Sequence, residues 1–270
     1  MNEAEPSVLA HHQPAAAMWN EGGRAYDDIS FAISDALKHA AERLDARAGE
    51  SVLDVATGTG WTARNVARSG ASVVAVDIAA DLLGAAESLS RHIVPPIRFE
   101  LGDAERLPFD NNRFDAVIST FGVMFAIGQE QAARELGRVC RPGGRLVLTT
   151  WRPGGSVEAF FGIIQRYSDA PPPAVSPLRW GEPDAVADLL GGDFELMFES
   201  GTAHAYHPDP AAIWDWYSRG FGPLRQAIRA LEPSRQAALR AEIDAFHAES
   251  AEEAGLHIRR DYLVTIGRRR

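Results

Sequence analysis

Cysteine is almost missing from this chain of 270 residues. Cys140 is the only one, which excludes an intrachain disulfide and any metal site built on clustered thiolates. Lysine is as scarce: Lys38 stands alone and every other basic side chain is arginine or histidine, which with the abundant alanine points to a GC-rich bacterial coding sequence. No apolar run approaches the length that spans a bilayer. The start, with Glu3 and Glu5, lacks the basic region and apolar core of a secretory signal. Positive charge is outweighed, 27 Lys and Arg against 37 Asp and Glu, for a formal net charge of −10. Such a surface repels phosphate backbones and anionic headgroups, so no nucleic-acid partner and no membrane partner is expected. The Arg259–Arg260 pair and the Arg268–Arg270 tail are too short to reverse that balance. A cytoplasmic protein is the economical expectation.

What is present is an ordinary globular composition. Hydrophobic residues make up 46%, enough for a sizeable core. Residues 1–23 show no clear periodicity and are expected to be loosely ordered. Ile29–Leu44 has helical spacing, with Asp28 or Ser30 as cap. From Ser51 strands and helices alternate, which predicts βαβ units and a parallel sheet. The expected strands are Ser51–Ala56, Ser72–Val76 closed by Asp77, Ile97–Leu101, Phe114–Thr120 and Arg145–Trp151. The helices between them are Trp61–Ser69, Ala80–Ser88 and Gln129–Val139. Beyond Trp151 the alternation breaks: Val157–Tyr167 and Asp184–Leu190 read as helices, Phe194–Tyr206 as a strand, Pro210–Ala254 as a helical cap interrupted near Gly220–Pro223 and Pro233, and Leu256–Ile266 as a last strand.

The sharpest local feature is Val52-Leu53-Asp54-Val55-Ala56-Thr57-Gly58-Thr59-Gly60, a strand entering a glycine turn that opens a helix. Glycine lets the backbone approach a ligand, and the helix start offers unpaired amides. Asp77, closing the next strand, is placed to hydrogen-bond a ribose diol. By itself this turn suits a nicotinamide cofactor nearly as well as a methyl donor, or a turn with no ligand. Its company is more specific. VLDVATGTG, VVAVD, GDAERLPF (Gly102–Phe109), FDAVIS (Phe114–Ser119) and RPGGRLVL (Arg141–Leu148), in that order, closely resemble class I S-adenosylmethionine-dependent methyltransferases, especially the ubiquinone/menaquinone-biosynthesis-like branch. The resemblance is strong from Gly49 to Trp151 and weaker at Trp19–Ser30 and over the C-terminal half.

That resemblance implies an α/β fold: a Rossmann-like doubly wound seven-stranded sheet, mostly parallel with an antiparallel last strand, plus a helical lid and cap. It divides the chain into a lid segment at 1–46, a cofactor-binding core at 47–151 and a part at 152–270 that completes the sheet, with the cap at about 210–254. It implies S-adenosyl-L-methionine as cofactor. Asp54 and the turn Ala56, Thr57, Gly58 and Gly60 would hold the methionine portion, Asp77 the ribose hydroxyls, Ile78 the adenine face, and Asp103 with Ala104 the adenine edge. Ser119 and Thr120 would lie below the sulfonium, and Tyr26 in the lid above it. Asp54 itself favours a cofactor bearing an ammonium over one bearing a pyrophosphate.

Methyl transfer needs alignment and a dry pocket more than it needs protein chemistry. Phe121, Met124 and Phe125 follow the fourth strand at the mouth where such sheets bind ligands, and Trp214, Trp216 and Tyr217 lie in the cap; these are the expected substrate walls. No general base stands out. His204 and His207 point to opposite faces of a strand, and His11 and His12 reach the site only if the N-terminus folds over it. A solvated or packing role is expected for each histidine, no metal site is expected, and Cys140 is expected to pack as a small hydrophobe. The sequence Ser119-Thr120-Phe121-Gly122 lacks the Asn- or Asp-Pro-Pro-aromatic run of base- and amide-methylating relatives, which leaves a small metabolite methylated at carbon, oxygen or nitrogen. A nicotinamide- or flavin-dependent oxidoreductase and a catalytically silent cofactor-binding protein remain the alternatives at this stage.

Overall fold

The computed structural model describes residues 7–270. A helical turn at Ala10–His12 leads into α1 (Gln13–Asn20), then α2 (Tyr26–Phe31) and α3 (Ser34–Leu44). The alternating region follows as β1 (Ser51–Val55), α4 (Trp61–Ala67), β2 (Ser72–Asp77), α5 (Ala80–Ser90), β3 (Arg98–Leu101), β4 (Phe114–Thr120), α6 (Gln129–Val139) and β5 (Cys140–Trp151). The C-terminal half holds α7 (Ser156–Arg166), α8 (Pro183–Leu190), β6 (Phe194–His207), α9 (Pro210–Gly220), α10 (Gly222–Ala230), α11 (Pro233–Ala248), the two-residue β7 (Ala251–Glu252) and β8 (Gly255–Arg269).

Seven strands line up in the order β3-β2-β1-β4-β5-β8-β6, with β7 attached to β8 as a hairpin. All pair in parallel except β8, which runs antiparallel to both β5 and β6. This is the doubly wound sheet that the alternating pattern predicts. β1 and β4 are buried on both faces, which is why Val52, Leu53 and Val55, and Ala116, Val117 and Ile118, form nearly unbroken apolar runs. The strand order reverses between β1 and β4, so the crossovers leave on opposite sides and a crevice opens beyond the strand tips. A second apolar core lies under the cap, where Phe160 of α7, Tyr217 of α9 and Ile243 of α11 pack near Ile258 of β8. No helix among the described residues is long and apolar enough to cross a membrane.

Several boundaries differ from the sequence reading. The expected disorder of residues 1–23 is overturned over the described part: residues from Ala10 onward are helical and held against the body, while residues 1–6 lie outside the described residues. The single helix expected at Ile29–Leu44 is two, because Ile33 leaves the helical conformation (φ −126°). The Ala32 carbonyl freed there is bound by the Arg260 guanidinium at 2.8 Å. β5 starts at Cys140 rather than Arg145, since Cys140 already pairs with Phe114 before the register shifts and Arg145 pairs with Ala116. The cap breaks where Gly220–Pro223 and Pro233 place its breaks, but its helix ends at Ala248; Ala251 and Glu252 turn back to pair with Leu256 and Gly255.

Candidate active site

The crevice beyond β1, β2, β3 and β4 is a cavity roofed by the N-terminal helices. Its floor is the turn after β1. Ala56 and Gly58 adopt left-handed φ of 57° and 58°, so the chain doubles back at the strand tip and presents Thr57 and Gly58 to the cavity. Gly60 (φ 83°) starts α4 and stands against Ala86 and the Phe99 ring, so its need for glycine is conformational and steric; it does not line the cavity.

Three buried carboxylates close successive strand tips. Asp54 accepts a 2.6 Å hydrogen bond from the Thr57 hydroxyl on Oδ2, while Oδ1 has no partner. Burial pushes its carboxyl up to about 7, opposed by the Thr57 hydroxyl and reinforced by the nearby Asp77 charge. Asp77 accepts from the Gly58 amide (2.8 Å) and the Ala79 amide (2.9 Å), which fixes its plane against the glycine turn. Burial raises its carboxyl as well, against those backbone donors. Asp103 accepts from the Glu105 amide on Oδ1, and from the Leu9 amide (3.0 Å) and His12 Nδ1 (2.7 Å) on Oδ2.

His12 therefore ties the N-terminal segment to the third strand tip. Its Nε2 lies 3.0 Å from Glu105. Burial disfavours its charged form, but the hydrogen bond and charge of Asp103, helped by Glu105, outweigh that and raise its pKa above the ordinary histidine value. Asp103 responds in kind: burial pushes it up, yet His12 and the amides of Glu105 and Leu9 hold it below the usual carboxylate range. The expectation that His12 is solvated or merely packed is thus corrected, because the docked helix buries it between two acids. His11 also reaches Glu105, at 2.9 Å, and the ligand-type atoms of His11, His12 and Glu105 fall within 4.8 Å of one another; hydrogen bonds account for that clustering.

The other expected residues divide. Ala56, Thr57, Gly58, Asp77, Ile78, Asp103, Ala104, Thr120 and Tyr26 line this cavity. The Tyr26 ring roofs Gly58: a Cβ built on that glycine would stand 3.4 Å from it. Burial, then the Asp77 charge, keeps the Tyr26 hydroxyl protonated. Asp54 backs the turn from inside the sheet. Ser119 does not line the cavity; its hydroxyl donates to the Val55 carbonyl and accepts from the Val123 amide, bracing the tips of β1 and β4. Thr120 bonds Thr62 at 2.6 Å.

Phe121 stacks on Trp151 with 3.8 Å between ring centroids, and Phe125 meets the Trp19 edge. Met124, beside them on the same short turn, is fully buried in the core instead. A second chamber adjoins the first, sharing Trp19, Tyr26, Ile33, Phe121 and Phe125 as common wall. Tyr217 lines this second chamber; Trp214 and Trp216 line neither, being turned to the Arg240 guanidinium and to the His207 ring. Sequence reasoning passed over Arg260 and His247, which also line it, and Gly122, which packs against Ala56.

A family model described as a methyltransferase domain matches residues 53–148, from β1 into β5. A demethylmenaquinone methyltransferase of Beutenbergia cavernae is 33% identical over 231 residues, 83% of this chain and 91% of that protein. The chain belongs to the class I S-adenosylmethionine-dependent methyltransferases. Within them it is similar to the ubiquinone/menaquinone-like branch. An uncharacterized Mycobacterium tuberculosis protein, Rv1405c, is 34% identical over 203 residues, 73% of this methyltransferase and 72% of its own length. Among solved structures, the YcgJ protein of Bacillus subtilis superposes with a TM-score of 0.62 at 18% identity, covering 87% of this chain and 98% of that one, a likeness that shows the fold.

Proposed function

We propose that this methyltransferase binds S-adenosyl-L-methionine in the first cavity and transfers its methyl group to a small-molecule acceptor held in the adjoining chamber. One observation carries the reading: the cavity is walled by strand-tip carboxylates, and no lysine or arginine is among its described lining residues. A dinucleotide would bring a pyrophosphate into that acidic wall with no arginine or lysine to meet it, and the His12 imidazole there is already engaged by Asp103 and Glu105. An amino-acid-bearing nucleoside with a sulfonium brings positive charge instead, which the Asp77 and Asp103 carboxylates in the wall suit, with Asp54 buried behind the turn. The glycine turn lets the ligand lie against the backbone, and Asp77, with each oxygen holding one amide and retaining a free lone pair, suits a ribose diol.

When bound, S-adenosylmethionine supplies an electrophilic methyl group. The protein supplies position and dryness. Tyr26, Trp19 and Phe125 roof the junction of the two chambers, where they exclude water from the line of transfer. Asp103 orients the lid through His12, so the same carboxylate that faces the cavity also holds the N-terminal helix over it.

Titration calorimetry tests the assignment. S-adenosylhomocysteine is expected to bind and NADH not. Asp77→Ala is expected to lose roughly 1–3 kcal/mol of S-adenosylhomocysteine affinity, the cost of a buried hydrogen-bonding partner. Unchanged affinity in the variant would overturn the role given to Asp77, and preference for NADH would overturn the reading as a whole.

A further inference from the structure

Resting on the methyl-transfer reading, we propose that Arg260 anchors the acceptor, and that the acceptor is a flat apolar molecule carrying one anionic oxygen group. The second chamber is built from ring faces: Phe160 stacks on Tyr217 at 4.6 Å between centroids, and Phe121 on Trp151 at 3.8 Å. Such walls favour a planar apolar body. Into this setting β8 delivers a guanidinium. Arg260 is 6% exposed and lines the chamber, 6.0 Å from the Trp151 ring centre.

Its polar surroundings are too poor for its charge. Nη2 donates to the Ala32 carbonyl, the Tyr217 hydroxyl lies beside it, and Nε has no hydrogen-bond partner. Among the described residues no carboxylate forms an ion pair with it. Arginine cannot relieve burial by losing its proton, as lysine or histidine can, so an unpaired guanidinium in an aromatic chamber calls for an anion from outside the chain. The two histidines nearby do not share the task. Burial first, and the Arg260 charge with it, push both His207 and His247 towards their neutral forms. His247 Nδ1 is tied up by the Ile243 carbonyl at 2.8 Å. Among the described residues Arg260 is thus the one permanent charge lining the chamber, on the far side of the aromatic wall that the chamber shares with the cofactor cavity. A carboxylate, phenolate or enolate oxygen has the charge and geometry to take its free N–H groups.

The test uses the full chain loaded with S-adenosylhomocysteine and two probes of one shape, 2-naphthoate and 2-naphthamide, titrated by the quenching of tryptophan fluorescence. Wild type is expected to bind the naphthoate at least tenfold more tightly. Arg260→Gln is expected to remove that preference while leaving naphthamide affinity unchanged, and Arg260→Lys to keep part of it. Equal binding of the two probes by wild type would overturn the proposal without any variant having to fold. So would a preference that survives in Arg260→Gln, since a guanidinium that only ties β8 to the end of α2 would not distinguish the probes. Loss of S-adenosylhomocysteine binding itself would count against the methyl-transfer reading, whereas its retention with no preference for the anion sinks the anchor alone.

Discussion

His12 Nδ1 and Asp103 Oδ2 are joined at 2.7 Å across 91 residues of sequence, and Glu105 lies 3.0 Å from the opposite ring nitrogen. The imidazole thus bridges two acids and latches the N-terminal helices over the cavity. The pH dependence follows from the two shifts. His12 has a folded pKa above 6.5, so its contribution is fully present below 6.5 and is lost as pH rises through the higher folded value. Asp103 has a depressed pKa, so its contribution holds above the ordinary carboxylate value and is lost as pH falls through the folded one. The latch is strongest between those limits and opens on the alkaline side. Hydrogen exchange over residues 9–20, corrected for the intrinsic rate, is expected to quicken as pH passes the His12 value. In His12→Gln it is expected to be fast throughout, with no such step. Protection that ignores pH in the wild type would refute the latch.

Asp54 shifts the opposite way from Asp103. Its folded carboxyl holds a proton up to about 7, where the unfolded chain has already lost it above 3.8. Stability of the ligand-free protein therefore falls as pH climbs through that window and levels off above it. Asp54→Asn removes the cost of ionising a carboxylate whose Oδ1 has no partner. At pH 8 the variant is expected to melt higher than wild type, by about 2–4 °C for each kcal/mol gained in a chain of this size. Its affinity for S-adenosylhomocysteine should drop, but by less than in Asp77→Ala, since Asp54 braces the glycine turn through Thr57 and does not line the cavity. A lower melting temperature at pH 8 in scanning calorimetry would contradict the first expectation, and unchanged affinity the second.

Gly122 fixes the spacing of the two central strand tips. A Cβ there would stand 2.4 Å from Ala56 Cβ and 2.9 Å from the Ala56 carbonyl oxygen. Neither tip can yield cheaply, because Ala56 and Phe121 already hold left-handed φ values of 57° and 55° without being glycine. Gly122→Ala is expected to cost about 1–3 kcal/mol in denaturant unfolding and to weaken S-adenosylhomocysteine binding, since the displaced turn is the cavity floor. Gly84→Ala is the control. It lies exposed in α5 with open space around it, so it should stabilise by about 0.5–1 kcal/mol and leave binding alone.

The parts of the site that could be read from sequence are those carried by contiguous chain. Asp54 lies one residue before the end of β1, Asp77 ends β2 and Asp103 stands two residues past β3, and an apolar run closed by a carboxylate or a glycine turn is a local signal. His12 and Arg260 give no such signal, because their partners lie 91 and 228 residues away and only docking brings them together. The break at Ala32–Ile33 is hidden for a related reason. Helical spacing of apolar residues runs through it, and the residue that satisfies the broken turn comes from β8. Met124 and Phe125 show the finest limit: adjacent apolar residues on one short turn, one sent to the core and one to the cavity by a backbone twist that no periodicity encodes. At the C-terminal end the glutamates and alanines of 248–254 read as helix, and only pairing with β8 turns them back.

β8 is the last element of the chain and yet an interior strand. It pairs with β5 from Arg145↔Arg268 to Trp151↔Tyr262, and with β6 along its whole length from Phe194↔Arg269 to His207↔Leu256. Tyr262, Leu263 and Val264 are buried between those neighbours. Removal of residues 256–270 would strip one ladder from β5 and, among the described residues, the only ladder from β6, and would take Arg260 from the chamber. An edge strand can fray without unfolding its sheet; an interior one leaves unpaired amides and carbonyls on both sides and an apolar slot that water enters. The truncated chain is therefore expected to give no soluble protein. Recovery of a soluble truncation that still binds S-adenosylhomocysteine would show that the five parallel strands hold the cavity without β8, contrary to this topology.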